Sequence, residues 1–291
     1  MNEEINEYYQ QAGAIAKSTL QHSRDLVRPG AKILEVVETL EQMIRDQDAH
    51  LAFPLNISLN EDAAHDTAGI GDEREFRQGD LVKVDMGVHV EGYIADTALT
   101  IDLGENHLLV EASEAALDRA ISLVRPGITA GELGYAIQKE IEERGYLPVS
   151  NLTGHGLDRY QLHGAPTIPN VGMQGGMELE EDMVFAIEPF ATTGSGRVSE
   201  SLRCEIYQQI AVKPVRLSSA RKVLESIRPH GGLPFAKRWV SVKSADIAIA
   251  NLKKAQILRA YPVLHDIPGS RVSQSEHTLI VTEDGCTVTT A

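Results

Sequence analysis

The tetrapeptide Val27-Arg28-Pro29-Gly30 returns as Val124-Arg125-Pro126-Gly127, and its flanks return with it. Apolar residues at helical spacing precede each copy: Ala12, Ile15, Ala16 and Leu20 before the first, Ala116, Ala120 and Ile121 before the second. A second helical pattern follows each, through Ile33, Val36, Val37, Leu40 and Met43, and through Leu133, Ala136, Ile137 and Ile141. Steps of three and four place these side chains on one helix face. Between the helices, Pro stops one and Gly accepts the positive φ of the turn. Extended segments come next, Leu51–Pro54 and Tyr146–Val149, each with a histidine downstream, His65 and His155. The pattern predicts a duplicated half-domain, two helix pairs backing a sheet with a site between the halves. Two copies are too few for a solenoid.

The expected class is therefore α/β (α+β type), with antiparallel sheet in each half. Leu81–Gly87 and Tyr93–Thr100 read as a hairpin turning near Glu91-Gly92. Val184–Glu188 reads as a short strand ended by Pro189, and Thr278–Thr282 as another with Glu276 at its mouth. A hydrophobic content of 42% supplies a core, and no apolar run reaches the ~18 residues of a membrane span. The acidic start, Met1-Asn2-Glu3-Glu4, is unlike a secretion signal. Cys204 and Cys286 are the only cysteines, which excludes a disulfide framework and a cysteine zinc site. A cytoplasmic location is expected.

The net charge of −15 hides an asymmetry: residues 213–259 carry +9 and the remainder −24. Such a contrast marks an inserted subdomain, placed at 195–262, between the two parts (1–194 and 263–291) of the catalytic unit. Within it, Ser218–Arg228 reads as an amphipathic helix, with Val223, Leu224 and Ile227 inward. Ser244 reads as the cap of a second helix running through Leu252 to Leu258. Two readings stand for this segment: a solvated subdomain that shields one wall of the site, or a basic face, with Lys237, Arg238, Lys253 and Lys254, that orients the protein on ribosomal RNA. Such binding would weaken steeply with salt.

Asp85 and Asp96 lie eleven residues apart across the hairpin, near enough for cross-strand contact. An aspartate in an apolar strand is costly unless paired or bound to a cation, and two on adjacent strands repel. Glu188 shares strand parity with Val184 and Ala186, Glu276 precedes Leu279-Ile280-Val281, and His155 sits in Gly154-His155-Gly156. Four carboxylates and one imidazole suit two divalent first-row ions about 3.5–4 Å apart.

Asp85-Met86-Gly87, Gly92-Tyr93-Ile94-Ala95-Asp96, Gly154-His155-Gly156, Phe185-Ala186-Ile187-Glu188-Pro189 and Glu276-His277-Thr278 resemble, in order, the metal motifs of the methionine aminopeptidases. The resemblance implies the pita-bread fold. The 88 residues between Glu188 and Glu276 hold the basic segment, and a helical, winged-helix-like insertion there resembles the type II enzymes in their compact archaeal form. It further implies removal of N-terminal methionine from nascent polypeptides, preferentially before a small second residue. The implied ligands are Asp96, His155, Glu188 and Glu276 for one ion and Asp85, Asp96 and Glu276 for the other. The ions would be cobalt, manganese, iron or zinc, and the protein a monomer. His65, in Ala63-Ala64-His65, and His163 resemble the substrate-side histidines, with Glu188 as proton acceptor. Phe53 and Leu162 are candidate walls for the methionine side chain. Asp66 and Ser275 depart from the family's usual aromatics. Two other readings share the fold: an X-Pro aminopeptidase or prolidase, and a non-enzymatic peptide-binding protein.

Overall fold

The computed structural model describes residues 1–291. Its first helix pair is α1 (Glu3–Leu26) and α2 (Ile33–Arg45), its second α3 (His107–Ile121) and α4 (Ala130–Glu143). Local chemistry sets the starts. The Asn2 side chain accepts from the Ile5 amide at 2.8 Å before α1. Thr129 and Glu132 close a reciprocal capping box on α4. Between the helices of each pair the glycine turns left-handed, with φ of 84° at Gly30 and 86° at Gly127. The two turns are tied down identically. Gly30 donates to the Phe76 carbonyl and Gly127 to the Leu179 carbonyl, both at 2.8 Å; Ile33 donates to Arg74 and Ala130 to Met177. The duplication seen in four residues of sequence thus extends to individual backbone hydrogen bonds.

Each pair buries its apolar stripe on the sheet of its own half. Ile33, Val36, Val37, Leu40 and Ile44 pack with Val82, Val84, Met86 and Val88 of the strand Leu81–Val90. Leu133, Ile137 and Ile141 pack with Phe185, Ile187 and Leu279. Burial of each such side chain stabilises by about 1.5–3 kcal/mol, which makes these two stripes the main reason the halves hold together.

In the first half, Leu81–Val90 is paired by Tyr93–Asp102, His50–Leu51 and Asn56–Leu59, all antiparallel. In the second, a five-stranded sheet runs in the order Cys286–Val288, His277–Val281, Val184–Ile187, Thr153–Asp158, Gln161–Pro169. An antiparallel bridge between Ala98 and Glu276 joins the halves at the centre. No helix is long and apolar enough to cross a membrane.

Residues 206–261 fold around a cluster of their own. Helices α5 (Ser218–Ser226) and α6 (Ala245–Lys254) cover a three-stranded sheet of Ile206–Gln209, Phe235–Ala236 and Leu258–Tyr261. Val223 and Ile227 are buried and Leu224 half-buried, as the amphipathic pattern requires. Three expectations are corrected. Helix α6 ends at Lys254, because Gln256 turns left-handed (φ 52°) and Ile257 bonds back to the Leu252 carbonyl at 3.0 Å; Leu258 then opens a strand. Ser244 precedes α6 in a left-handed conformation and its side chain caps nothing. Lys237 and Arg238 do not belong to an outward basic face. Arg238 is buried in an ion pair with Glu41 of α2 and donates to Thr67 Oγ1 and the Ala68 carbonyl, each at 3.0 Å. Trp239 Nε1 donates to the same Glu41 carboxylate at 3.0 Å. Lys237 pairs with Glu205 and Asp246, both at 3.2 Å. A buried acid on α2 takes up the positive charge that composition alone assigns to solvent.

Candidate active site

The two central strands carry the first acids. Asp85 stands opposite Ala98, and Asp96 opposite Gly87. The aspartates are therefore diagonal neighbours on one face, not directly opposed. Gly87 is required there: a Cβ would lie 2.3 Å from the Phe53 ring, so the missing side chain lets Phe53 pack beside Asp96. From the other half, Glu188 follows the strand Val184–Ile187, Glu276 precedes His277–Val281, and His155 lies on Thr153–Asp158.

These elements converge on a cavity of about 380 Å³. All nine residues singled out from sequence line it: Phe53, His65, Asp85, Asp96, His155, Leu162, His163, Glu188 and Glu276. Ligand atoms of Asp96, His155 and Glu276 lie within 4.8 Å of one another. His155 Nε2 is 3.7 Å from Asp96 Oδ2 and 3.8 Å from Glu188 Oε1. A larger hollow of about 810 Å³ lies over α3 and α4, away from this cluster.

The electrostatics of the cluster test whether cations fit. Burial pushes Asp85 up to about 7. Burial, with the charges of the neighbouring acids, holds Asp96, Glu188 and Glu276 well above the usual carboxylate range. No Lys or Arg lines the cavity. Asp85 Oδ1 and Asp96 Oδ1 are buried without a hydrogen-bond partner, a costly state for a carboxylate. His155 is driven down to about 3 by burial and by His163 beside it, so its ring is a neutral donor of a lone pair. Crowded acids, orphaned oxygens, a neutral imidazole and no side-chain cation fit a divalent metal centre.

Beyond the cluster, the two histidines expected on the substrate side, His65 and His163, both pack against Tyr261. Its ring lies 5.3 Å edge-on from His65 and 6.2 Å, stacked, from His163. His163 also packs on His155 at 4.5 Å. His65 has φ 64°, left-handed for a residue with a Cβ, and its Nδ1 lies 3.3 Å from the Pro262 carbonyl. Burial lowers it to about 4. Burial, aided by Arg259, also lowers His163, and both rings are neutral at pH 7. Asp66 and Ser275 turn away from the cavity. Arg74 binds Asp66 at 2.6 and 3.2 Å, and Ser275 Oγ lies 3.0 Å from Ser113 Oγ. Sequence reasoning did not find Asn56, Tyr261 or Gln274. Asn56 pairs across the sheet with Asp85. Tyr261 arrives from the far end of the insertion, with no local signal. Gln274 had one usable signal, its even spacing from Glu276 along an extended segment.

The comparisons with known proteins agree with this geometry. The model of "Metallopeptidase family M24" matches residues 7–283. A methionine aminopeptidase of Archaeoglobus fulgidus is 48% identical over 291 residues, covering 100% of both chains. One from Pyrococcus horikoshii is 44% identical over 287 residues, covering 96% of this chain and 97% of its own. Among solved structures, the methionine aminopeptidase of Thermotoga maritima superposes with a TM-score of 0.75 at 24% identity, covering 100% of this chain and 98% of its own. At that identity the likeness speaks for the fold alone. With a family model spanning most of its length and full-length relatives well above 30% identity, the chain belongs to metallopeptidase family M24.

Proposed function

We infer that the protein removes N-terminal methionine from polypeptides, preferentially when the second residue is small. The observation that carries this reading is the buried acid cluster lining a 380 Å³ cavity whose apolar wall includes Phe53 and Leu162. The full-length relatives named methionine aminopeptidase support it.

Asp96, His155, Glu188 and Glu276 would hold one divalent ion and Asp85, Asp96 and Glu276 a second, so that Asp96 and Glu276 serve both. Cobalt, manganese, iron and zinc all accept such a donor set. When bound, the ions supply Lewis acidity and an acidified water. The chain's own residues do the rest. Phe53 and Leu162 pack the unbranched methionine side chain. Glu188 takes the water's proton. His65, its Nδ1 turned to the Pro262 carbonyl, keeps Nε2 as an acceptor for a substrate N–H. His163, neutral at pH 7, donates its N–H to the carbonyl oxygen as charge develops on it, and Glu188 returns the proton it took from water to the leaving amine.

The same reading takes the protein as a cytoplasmic monomer, with residues 1–194 and 263–291 as the catalytic unit and 195–262 as the inserted one. It places the enzyme near the ribosome through the exposed basic residues of the insertion, Lys253 and Lys254 among them. The charge contrast of +9 against −24 supports that contact. Free methionine released from Met-Ala-Ser, compared with cleavage of Met-Lys and Ala-Pro peptides, tests the activity. Rapid release from Met-Ala-Ser alone is expected. Faster cleavage of Ala-Pro would replace this reading with an X-Pro peptidase.

A further inference from the structure

We propose that Gln274 is a positioning residue of the metal centre: its uncharged amide holds the Glu276 carboxylate from the place that Asp96 occupies in the other half. This rests on the metal-site reading above. The halves meet at the bridge between Ala98 and Glu276. Glu276 N donates to the Ala98 carbonyl at 3.0 Å, and Ala98 N to the Glu276 carbonyl at 3.4 Å. On one side of this pair, Thr278 Oγ1 accepts from Asp96 N at 2.7 Å and donates to the Asp96 carbonyl at 2.8 Å. On the other side, Thr100 Oγ1 accepts from Gln274 N at 2.9 Å and donates to the Gln274 carbonyl at 2.7 Å.

The two clamps are the same clamp. A half-turn about the bridge exchanges Ala98 with Glu276, Thr100 with Thr278, and Asp96 with Gln274. Asp85 and Glu188 follow the same exchange. Asp85 is paired with Ala98, and Glu188 lies one step beyond the paired Ile187 and His277, level with Glu276. The duplicated fold therefore presents two equivalent positions to the cluster, filled by a carboxylate in one half and by an amide in the other.

The amide's contacts give its role. Gln274 is buried, with 1% of its surface exposed. Its Nε2 donates to Glu276 Oε2 at 3.4 Å, while its Oε1 is buried without a hydrogen-bond partner. A glutamate here would be a fifth negative charge in a cavity without Lys or Arg. An amide instead donates N–H to the oxygens it faces, leaving the others free for a cation. Partners of this kind commonly change metal affinity 10–100-fold when removed.

The test titrates chelator-treated protein with Mn²⁺ alone in a calorimeter, without substrate. Gln274→Met keeps the volume and removes the donor. It is expected to bind Mn²⁺ about tenfold or more weakly, to unfold in chelator at a temperature close to wild type, and to regain turnover in excess Mn²⁺. Should the Met variant fail to fold, Gln274→Asn keeps an amide in the interior but draws it back by one methylene, and the same loss of affinity is expected. Wild-type affinity in a folded variant would overturn the proposal alone. A wild-type protein that takes up no Mn²⁺ would overturn the metal-site reading and this proposal with it.

Discussion

At the scale of single residues, the proposed function assigns the acids and His155 to the cations and two other histidines to the substrate. His65 and His163 both pack against Tyr261, and with Asp85, Asp96, Glu188 and Glu276 they line the same cavity. His65→Ala and His163→Ala should each lower turnover by about 10²–10⁴-fold with metal content unchanged by elemental analysis. Loss of metal from either variant would contradict this division. Asp85 makes a second prediction, on stability against pH. A carboxyl whose pKa is raised by folding favours the fold at low pH, and that contribution is lost as pH rises toward the folded value. For Asp85 the window runs from its ordinary 3.8 to about 7. The unfolding temperature of metal-free Asp85→Asn, relative to metal-free wild type, should therefore climb from pH 5 to pH 7.5. A constant difference across that range would show that Asp85 is not held in its neutral form. The residues legible in sequence were those inside short motifs around an unusual buried charge. Tyr261 and Gln274 were not, because their roles depend on contacts brought together only by the insertion and by the meeting of the halves.

At the scale of elements, buried acids fasten the insertion to the body: Asp66 pairs with Arg203, and Glu41 makes the larger set of contacts. Glu41 of α2 receives Arg238 and Trp239 of the insertion and Arg45 of its own helix. Glu41→Ala would leave Arg238 charged and buried without its partner, a change that costs about 3–5 kcal/mol. Chemical denaturation measures it, and a loss below 1 kcal/mol would mean that this contact does not fasten the insertion. Composition read the same arginine as a surface charge, since a count of charges does not show which of them finds a partner. The helix ending at Lys254 was misread for a related reason: Leu258 continues the apolar period, but the left-handed Gln256 breaks it. Lys253 and Lys254 remain exposed at the end of α6. Changing both to Glu should reduce co-sedimentation with ribosomes at low salt severalfold while leaving peptide cleavage intact. Equal sedimentation of variant and wild type would remove the ribosome contact from the account.

At the scale of the whole molecule, the repeated Pro-Gly turn disclosed a duplicated architecture, because a helix pair with one apolar face needs a sheet to cover it and two such pairs need two. Position in sequence also disclosed the acids, since Asp85 and Glu276 sit in segments otherwise apolar enough to be core. What sequence could not supply was the axis relating the halves, which passes through the Ala98–Glu276 bridge and sets the acids of both halves around one cavity. The central claim is that this arrangement is a two-ion aminopeptidase site. The most direct test removes bound metal with a chelator and follows free methionine from Met-Ala-Ser as Mn²⁺ is returned in measured equivalents. The account predicts no turnover in chelator, recovery that levels off by about two equivalents, and almost none at any Mn²⁺ concentration in Glu276→Ala. Full turnover in chelator, or normal recovery in Glu276→Ala, would contradict it.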